Sequence, residues 1–279
     1  MADKKLTSYP KEKINILFLE NISDVAVKFF NDKGYANVRK LNGALSEEQL
    51  IKEIKNVHMV GIRSKTKLTA KVIEAAEKLQ AIGCFCIGIN QVDLASATAH
   101  GIVVFNAPYS NTRSVAELVI GSSIMLIRKI IDKNKAAHEG IWNKEATGSF
   151  ELRGKTLGII GYGNIGSQLS VLAEGLGMKV IFYDTETKLP LGNAESRKSL
   201  KEVIGAADIV SLHVPETAST KNLINKNNLK FFKKGNILIN YARGEVVDLD
   251  ALAKSLSDGL MGGAAIDVFP WEPEKNGDK

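Results

Sequence analysis

Apolar residues along this chain gather in short runs, and each run is followed by a stretch where they recur at helical spacing. Strand then helix, repeated from end to end, predicts a parallel α/β protein whose strands are covered on both faces. In the first part the pattern predicts strands at Ile14–Leu19, Ala36–Arg39, His58–Ile62, Ala81–Cys86 and Ile102–Phe105. A helix is expected over Asp24–Asp32, and another from Ser46, where Gln49 stands at capping-box spacing. The helix before Ile102 is expected to end at Gly101, a residue suited to a left-handed C-terminal cap. Asn106-Ala107-Pro108 interrupts the alternation. A long helix is predicted from Ser114, again with capping-box spacing to Glu117, and runs on to Ile131. A domain boundary is therefore expected near residue 110, giving a first domain over 1–110 and a second over 111–279. An irregular stretch holding Trp142 and Phe150 leads into a second series of strands at Thr156–Ile160, Lys179–Tyr183, Ile209–Leu212, Ile237–Asn240 and Ala264–Val268. The polar tail from Glu272 is expected to be loose.

A chain of 279 residues has room for two such domains. Its 44% apolar and 24% charged content excludes a disordered or fibrous protein. No apolar run reaches the roughly 20 residues of a membrane span. The opening Met1-Ala-Asp-Lys-Lys lacks the apolar core of a signal peptide, so a cytoplasmic location is expected. Cys84 and Cys86 share one face of a predicted strand, which suits buried, reduced thiols better than a disulfide framework; no metal site is expected. The net charge of +6 comes largely from spread lysines such as Lys52, Lys55 and Lys71, without an arginine stripe, so nucleic acid is not an expected partner.

The strongest chemical signal is Gly161-Tyr-Gly163-Asn164-Ile165-Gly166, which follows an apolar strand and opens a helix. In that context GxGxxG is a dinucleotide fingerprint. Gly161 permits the tight turn, Gly163 admits a pyrophosphate to the backbone, and Gly166 lets the helix pack on the strand. The free amides at the helix start bind phosphate oxygens. The next strand ends in Asp184, 18 residues after Gly166, where a carboxylate can accept hydrogen bonds from a ribose. A 2′-phosphate there would meet like charge, so NAD is favoured over NADP.

Two further segments follow predicted strands. Asn240-Tyr241-Ala242-Arg243-Gly244 places a guanidinium at a strand's carboxyl end, where open α/β sheets bind ligands. Arg243 reads equally as a loop anchor or as a fork for a carboxylate. Ala264-Ala-Ile-Asp267-Val-Phe-Pro-Trp-Glu272-Pro273 brings two carboxylates to the same edge, although acids so placed are more often turn residues. Together these strings resemble the D-isomer-specific 2-hydroxyacid dehydrogenase family. Three longer ones, Gly83–Leu94, Phe105–Leu118 and Lys188–Ala194, resemble the branch that oxidises 3-phosphoglycerate in the first step of phosphorylated serine synthesis.

The resemblance implies a Rossmann-type doubly wound parallel sheet plus a smaller flavodoxin-like α/β substrate domain. It implies that Arg243 holds the substrate's C1 carboxylate and C2 oxygen, and that Glu272 pairs with a histidine to keep it basic. Asp267 would contact the nicotinamide carboxamide, Asn164 and Ile165 the pyrophosphate, and Tyr241 and Ala242 the nicotinamide side. Arg63, Ser64, Asn111 and Lys144 would meet the carboxylate and phosphate of the substrate; Arg63 reads equally as a surface anchor. The helix from Ser114 would form a homodimer interface, or else pack in the core.

The family's histidine lies in a Pro-His-x-Gly motif beyond the strand that follows Glu272, whereas this sequence ends at Lys279. His58, His100, His138 and His213 fall elsewhere in the pattern and read as structural or solvent-facing. The chain is thus expected to be a fragment that binds NAD and turns over poorly, since acid–base assistance is worth about 10²–10⁴ in rate. The last predicted strand would then be an unpaired edge. The alternatives are another D-2-hydroxyacid dehydrogenase, or a non-catalytic NAD-binding sensor.

Overall fold

The computed structural model describes residues 9–271. The chain divides between Asn111 and Thr112 into two compact units.

The first unit alternates strand and helix: β1 (Asn15–Phe18), α1 (Asp24–Asp32), β2 (Asn37–Lys40), α2 (Glu47–Ile54), β3 (Met59–Ile62), α3 (Ala70–Glu74), β4 (Ala81–Cys84), α4 (Leu94–Ala99) and β5 (Val103–Asn106). Every strand pair is parallel, in the order β2-β1-β3-β4-β5. This is the flavodoxin-like order, and the chain reverses direction across the sheet between β1 and β3. Strand alternation sends Leu17 into one core with Ile62, Ile82, Leu50 and Ile54, and sends Ile16 and Phe18 into another with Phe30. Side-chain caps start the helices. Ser46 and Gln49 form the expected capping box, and Thr69 and Asp93 accept from Val72 N–H and Ser96 N–H.

The second unit continues through α5 (Thr112–Ile127), α6 (Ile130–His138), β6 (Thr156–Ile160), α7 (Asn164–Gly175), β7 (Lys179–Tyr183), β8 (Glu195–Ser196), α8 (Leu200–Ala206), β9 (Ile209–Leu212), α9 (Lys226–Leu229), β10 (Asn236–Asn240), α10 (Leu249–Ser257) and β11 (Met261–Ile266). Among the described residues its six strands lie in the order β11-β10-β9-β6-β7-β8, all parallel. Counted from β6, this is the Rossmann order 3-2-1-4-5-6 read from the other side, with its reversal between β6 and β9. Both faces of the sheet are buried, one by Leu157, Ile159, Val180 and Phe182, the other by Ile160, Ile181, Val210 and Leu238.

Three expectations need correction. The long helix starts at Thr112 and not at Ser114, and no capping box forms there: the Glu117 carboxylate instead pairs with Arg113 Nε at 2.6 Å, one helical turn away. The helix also does not run to Ile131. Lys129 adopts φ 54°, which breaks it in two although no glycine or proline marks the place. The strand expected at Ala264–Val268 spans Met261–Ile266, so Asp267 lies past its end. Five strands were legible in this unit, and β8, two polar residues without an apolar run, is the sixth. Among the described residues no helix is long and apolar enough to cross a membrane.

Phe182 is 1% exposed and stacks on Tyr162 with ring centroids 3.8 Å apart. Phe182→Ala is expected to lower the unfolding free energy by about 3–5 kcal/mol, measured by urea denaturation. A loss below about 1 kcal/mol would show that the ring is not part of a close-packed core.

Candidate functional site

Because all six strands of the second unit run the same way, their carboxyl ends share one edge. Gly161 follows β6, Asp184 follows β7, His213 follows β9, Tyr241–Arg243 follow β10 and Asp267 follows β11. The fingerprint sits at the reversal point. Gly161 has φ +92°, and a Cβ there would lie 2.6 Å from the carbonyl oxygen of His213, so only glycine lets the turn crowd the end of β9. A Cβ on Gly166 would lie 2.3 Å from the Gly161 oxygen, which seats the first turn of α7 directly on the loop. Gly163 meets nothing within 4 Å and caps α7 without a side chain, so the helix's first amides face open space. That is the arrangement an anion requires.

The residue between these glycines fastens the turn. Tyr162 N–H donates to Asp184 Oδ2 at 2.7 Å, while Asp184 Oδ1 accepts from Glu186 N–H at 3.0 Å. The Tyr162 hydroxyl shares a 2.7 Å hydrogen bond with Ser170 Oγ and accepts from Leu191 N–H at 3.1 Å. Asp184 is thus held beside the glycine turn, and each of its oxygens keeps a second lone pair for a ribose hydroxyl. A dinucleotide fits these residues.

Asn240, the last residue of β10, is fully buried and organises the next two loops. Its Nδ2 donates to the Arg243 carbonyl at 2.9 Å, and its Oδ1 accepts from Ala242 N–H at 3.2 Å. Its own carbonyl accepts from Asp267 N–H at 3.2 Å. The loops meet again at Gly244, where a Cβ would fall 2.1 Å from the Phe269 carbonyl carbon. Arg243 is half-buried, with Nη1 donating to the Ala242 carbonyl at 2.6 Å, and Tyr241 shares a 2.5 Å hydrogen bond with Ser122 of α5. Sequence alone assigns Asn240 no role of its own, and nothing in its neighbourhood announces that its buried side-chain amide orders Ala242 and Arg243 while its carbonyl holds Asp267.

In the first unit, Arg63 and Ser64 follow β3 with exposed side chains, and Asn111 is exposed just ahead of α5. Lys144 is exposed in the irregular stretch after α6. Behind Arg63 lies a group the sequence did not reveal: Glu20, after β1, accepts from the backbone N–H of Arg63, Lys65 and Thr66 at 3.0, 2.9 and 2.7 Å. Burial by itself raises the Glu20 carboxyl pKa, but the hydrogen bonds from Lys65, Thr66 and Arg63 outweigh it and hold the group below its ordinary value. Glu272 lies outside the described residues. Of the histidines, His58 Nδ1 accepts from Asn15 N–H, His100 sits at the end of α4 and His138 at the end of α6. His213 Nε2 pairs with Ser211 Oγ at 2.9 Å. Burial pushes its pKa down to about 4, so it is neutral near pH 7.

The model of the D-isomer specific 2-hydroxyacid dehydrogenase NAD binding domain matches residues 120–279. A D-3-phosphoglycerate dehydrogenase of Haemophilus influenzae is 58% identical over 95% of this chain, and one of Escherichia coli K12 is 55% identical over 97%. The chain spans 65% and 66% of the length of these two relatives. The crystal structure of a D-lactate dehydrogenase from Aquifex aeolicus, complexed with NAD and lactic acid, superposes with a TM-score of 0.80 at 28% identity. That match covers 92% of this chain and 77% of the other. The family resemblance and the fold class read from the motifs both hold.

The depressed pKa of His213 has a measurable consequence. The unfolded chain takes up a proton at this residue near its ordinary pKa of 6.5, whereas the folded chain waits until about 4. Stability from this group is therefore complete above 6.5 and is lost as pH falls toward about 4. Melting temperatures across that window should fall less steeply for His213→Gln than for the parent chain; parallel curves would refute the assignment.

Proposed function

Because this chain belongs to the D-isomer specific 2-hydroxyacid dehydrogenase family, we propose that it serves the NAD-dependent oxidation of 3-phosphoglycerate to 3-phosphohydroxypyruvate. The observation that carries this reading is the gathering of the glycine turn, Asp184, Arg243 and Asp267 on one edge of one parallel sheet. When bound, NAD supplies the chemistry by accepting a hydride from the substrate's C2. The chain's own residues bind and orient. The amides opening α7 and the bare Gly163 take the pyrophosphate, with Asn164 and Ile165 as the first residues of that helix. Asp184 accepts from the ribose hydroxyls and repels a 2′-phosphate. Tyr241, Ala242 and Asp267 serve the nicotinamide end.

Arg243 is assigned the C1 carboxylate and the C2 oxygen. A guanidinium there stabilises negative charge on that oxygen as its proton leaves. Arg63, Ser64, Asn111 and Lys144 are assigned the carboxylate and phosphate of the substrate, and Glu272 the role of holding a histidine basic. His213 is not that base. With a pKa near 4 it is a weak proton acceptor at neutrality, and its Nε2 is engaged by Ser211. We further read the protein as a cytoplasmic homodimer. For self-association the support is an apolar surface on α5 and α6, where Leu118, Ile124, Met125, Ile130 and Ile131 are exposed, while Ala116, Val119 and Ile127 fill the core.

Calorimetry tests the cofactor and substrate separately. NAD is expected to bind at least about tenfold more tightly than NADP, with Asp184→Asn narrowing the gap. Added to the NAD-loaded chain, 3-phosphoglycerate should bind at least about tenfold more tightly than D-lactate, and Arg243→Ala should weaken both acids. Equal affinity for the two acids would overturn the substrate, and no uptake of NAD would overturn the whole reading. Light scattering that finds a monomer at high concentration would remove the dimer.

A further inference from the structure

In the first unit the sheet reverses between β1 and β3, and the crevice at such a reversal is where open α/β sheets take ligands. Two buried polar side chains converge on Arg63, which follows β3 at that crevice. Glu20 is 8% exposed; its Oε1 accepts from Arg63 N–H and Thr66 N–H, and its Oε2 from Lys65 N–H. Gln91 is also 8% exposed, and its Nε2 donates to the Arg63 carbonyl at 2.9 Å and to the Gly88 carbonyl at 3.1 Å. The Gln91 main chain joins in, its carbonyl accepting from Leu68 N–H at 2.8 Å. Arg63 is therefore clamped at both its N–H and its C=O, while its side chain and that of Ser64 stand exposed.

Resting on the substrate reading above, we propose that Glu20 and Gln91 are positioning residues that hold the Arg63–Thr66 bend so that Arg63 and Ser64 present their side chains to the substrate's anionic groups. Converging backbone amides of this kind form a concavity that draws an anion. Here an internal carboxylate fills it, so the substrate is left to the side chains, and these are aimed by a backbone that cannot turn. Glu20 reaches the bend from an unusual conformation. It and Asn21 have φ 57° and 52°, neither being glycine, and Glu20 N–H donates to the Gly43 carbonyl at 3.1 Å. Strain of this sort persists only where the surroundings over-determine it. A glutamate suits three donors because both its oxygens only accept. A glutamine of the same shape turns an N–H toward at least one of them.

The test uses Glu20→Gln, Arg63→Ala and the double variant in the full 279-residue chain. Amide exchange is followed at residues 60–66, and calorimetry follows NAD and then 3-phosphoglycerate. Glu20→Gln is expected to speed exchange at Arg63, Lys65 and Thr66 by about tenfold or more, with residues 60–62 unchanged. It should weaken 3-phosphoglycerate by about tenfold and leave NAD within about twofold. Added to Arg63→Ala it should weaken the substrate by clearly less than it does alone, because much of its effect passes through that arginine and only the part through Ser64 remains. Unchanged exchange, an additive double variant, or equal losses of NAD and substrate would each overturn the proposal. Should the parent chain take up NAD but no 3-phosphoglycerate, the substrate assignment falls. The exchange pattern then decides by itself whether Glu20 holds the bend.

Discussion

Every strand pair in both units is parallel, and most of what this protein can do follows from that. A parallel pair cannot be closed by a tight turn; the chain must cross back over a face of the sheet, usually as a helix. The crossings bury both faces, which is why Ile159 and Ile160, neighbours on one strand, fill opposite cores. Within each sheet they also send every carboxyl end to one edge. Loops that leave that edge are free of the packing that fixes the strands, so they can carry chemistry without disturbing it.

Where the strand order reverses, adjacent loops part and leave a crevice, and in each unit a carboxylate holds a loop that borders it. In the second, Asp184 takes the Tyr162 amide and borders the glycine turn. In the first, Glu20 takes three amides from the bend after β3. The two acids differ in what remains to them. Asp184 keeps partial exposure and can still accept from a ligand, whereas Glu20 is buried and spent on the chain itself. One is a contact, the other a strut.

The fold was legible because burial on both faces writes the central strands as apolar runs, and the strand–helix alternation they set located the exposed edge strands β2 and β5 as well, ten strand positions in all. The glycine turn was legible because three glycines at fixed spacing have a narrow set of uses. What escaped has a common cause. Glu195–Ser196 pairs with β7 through backbone groups and shows no apolar signal. Lys129 breaks a helix at a residue with ordinary helical propensity, so no local signal marks the place. Ser114 and Glu117 had the spacing of a cap, yet Arg113 was the nearer partner. Glu20 and Gln91 act on Arg63 from 43 and 28 positions away, and no local window contains both ends of such a contact.

The fastening of Tyr162 bears on the thermodynamics of association. Its ring is stacked on Phe182, its hydroxyl is held by Ser170 and Leu191, and its amide by Asp184. A loop that must order itself around a ligand loses conformational freedom on binding, and that loss subtracts from affinity. A turn already anchored at ring, hydroxyl and backbone has little freedom left to surrender. Little affinity is then lost to ordering it, and the site behaves as a lock cut before the key arrives.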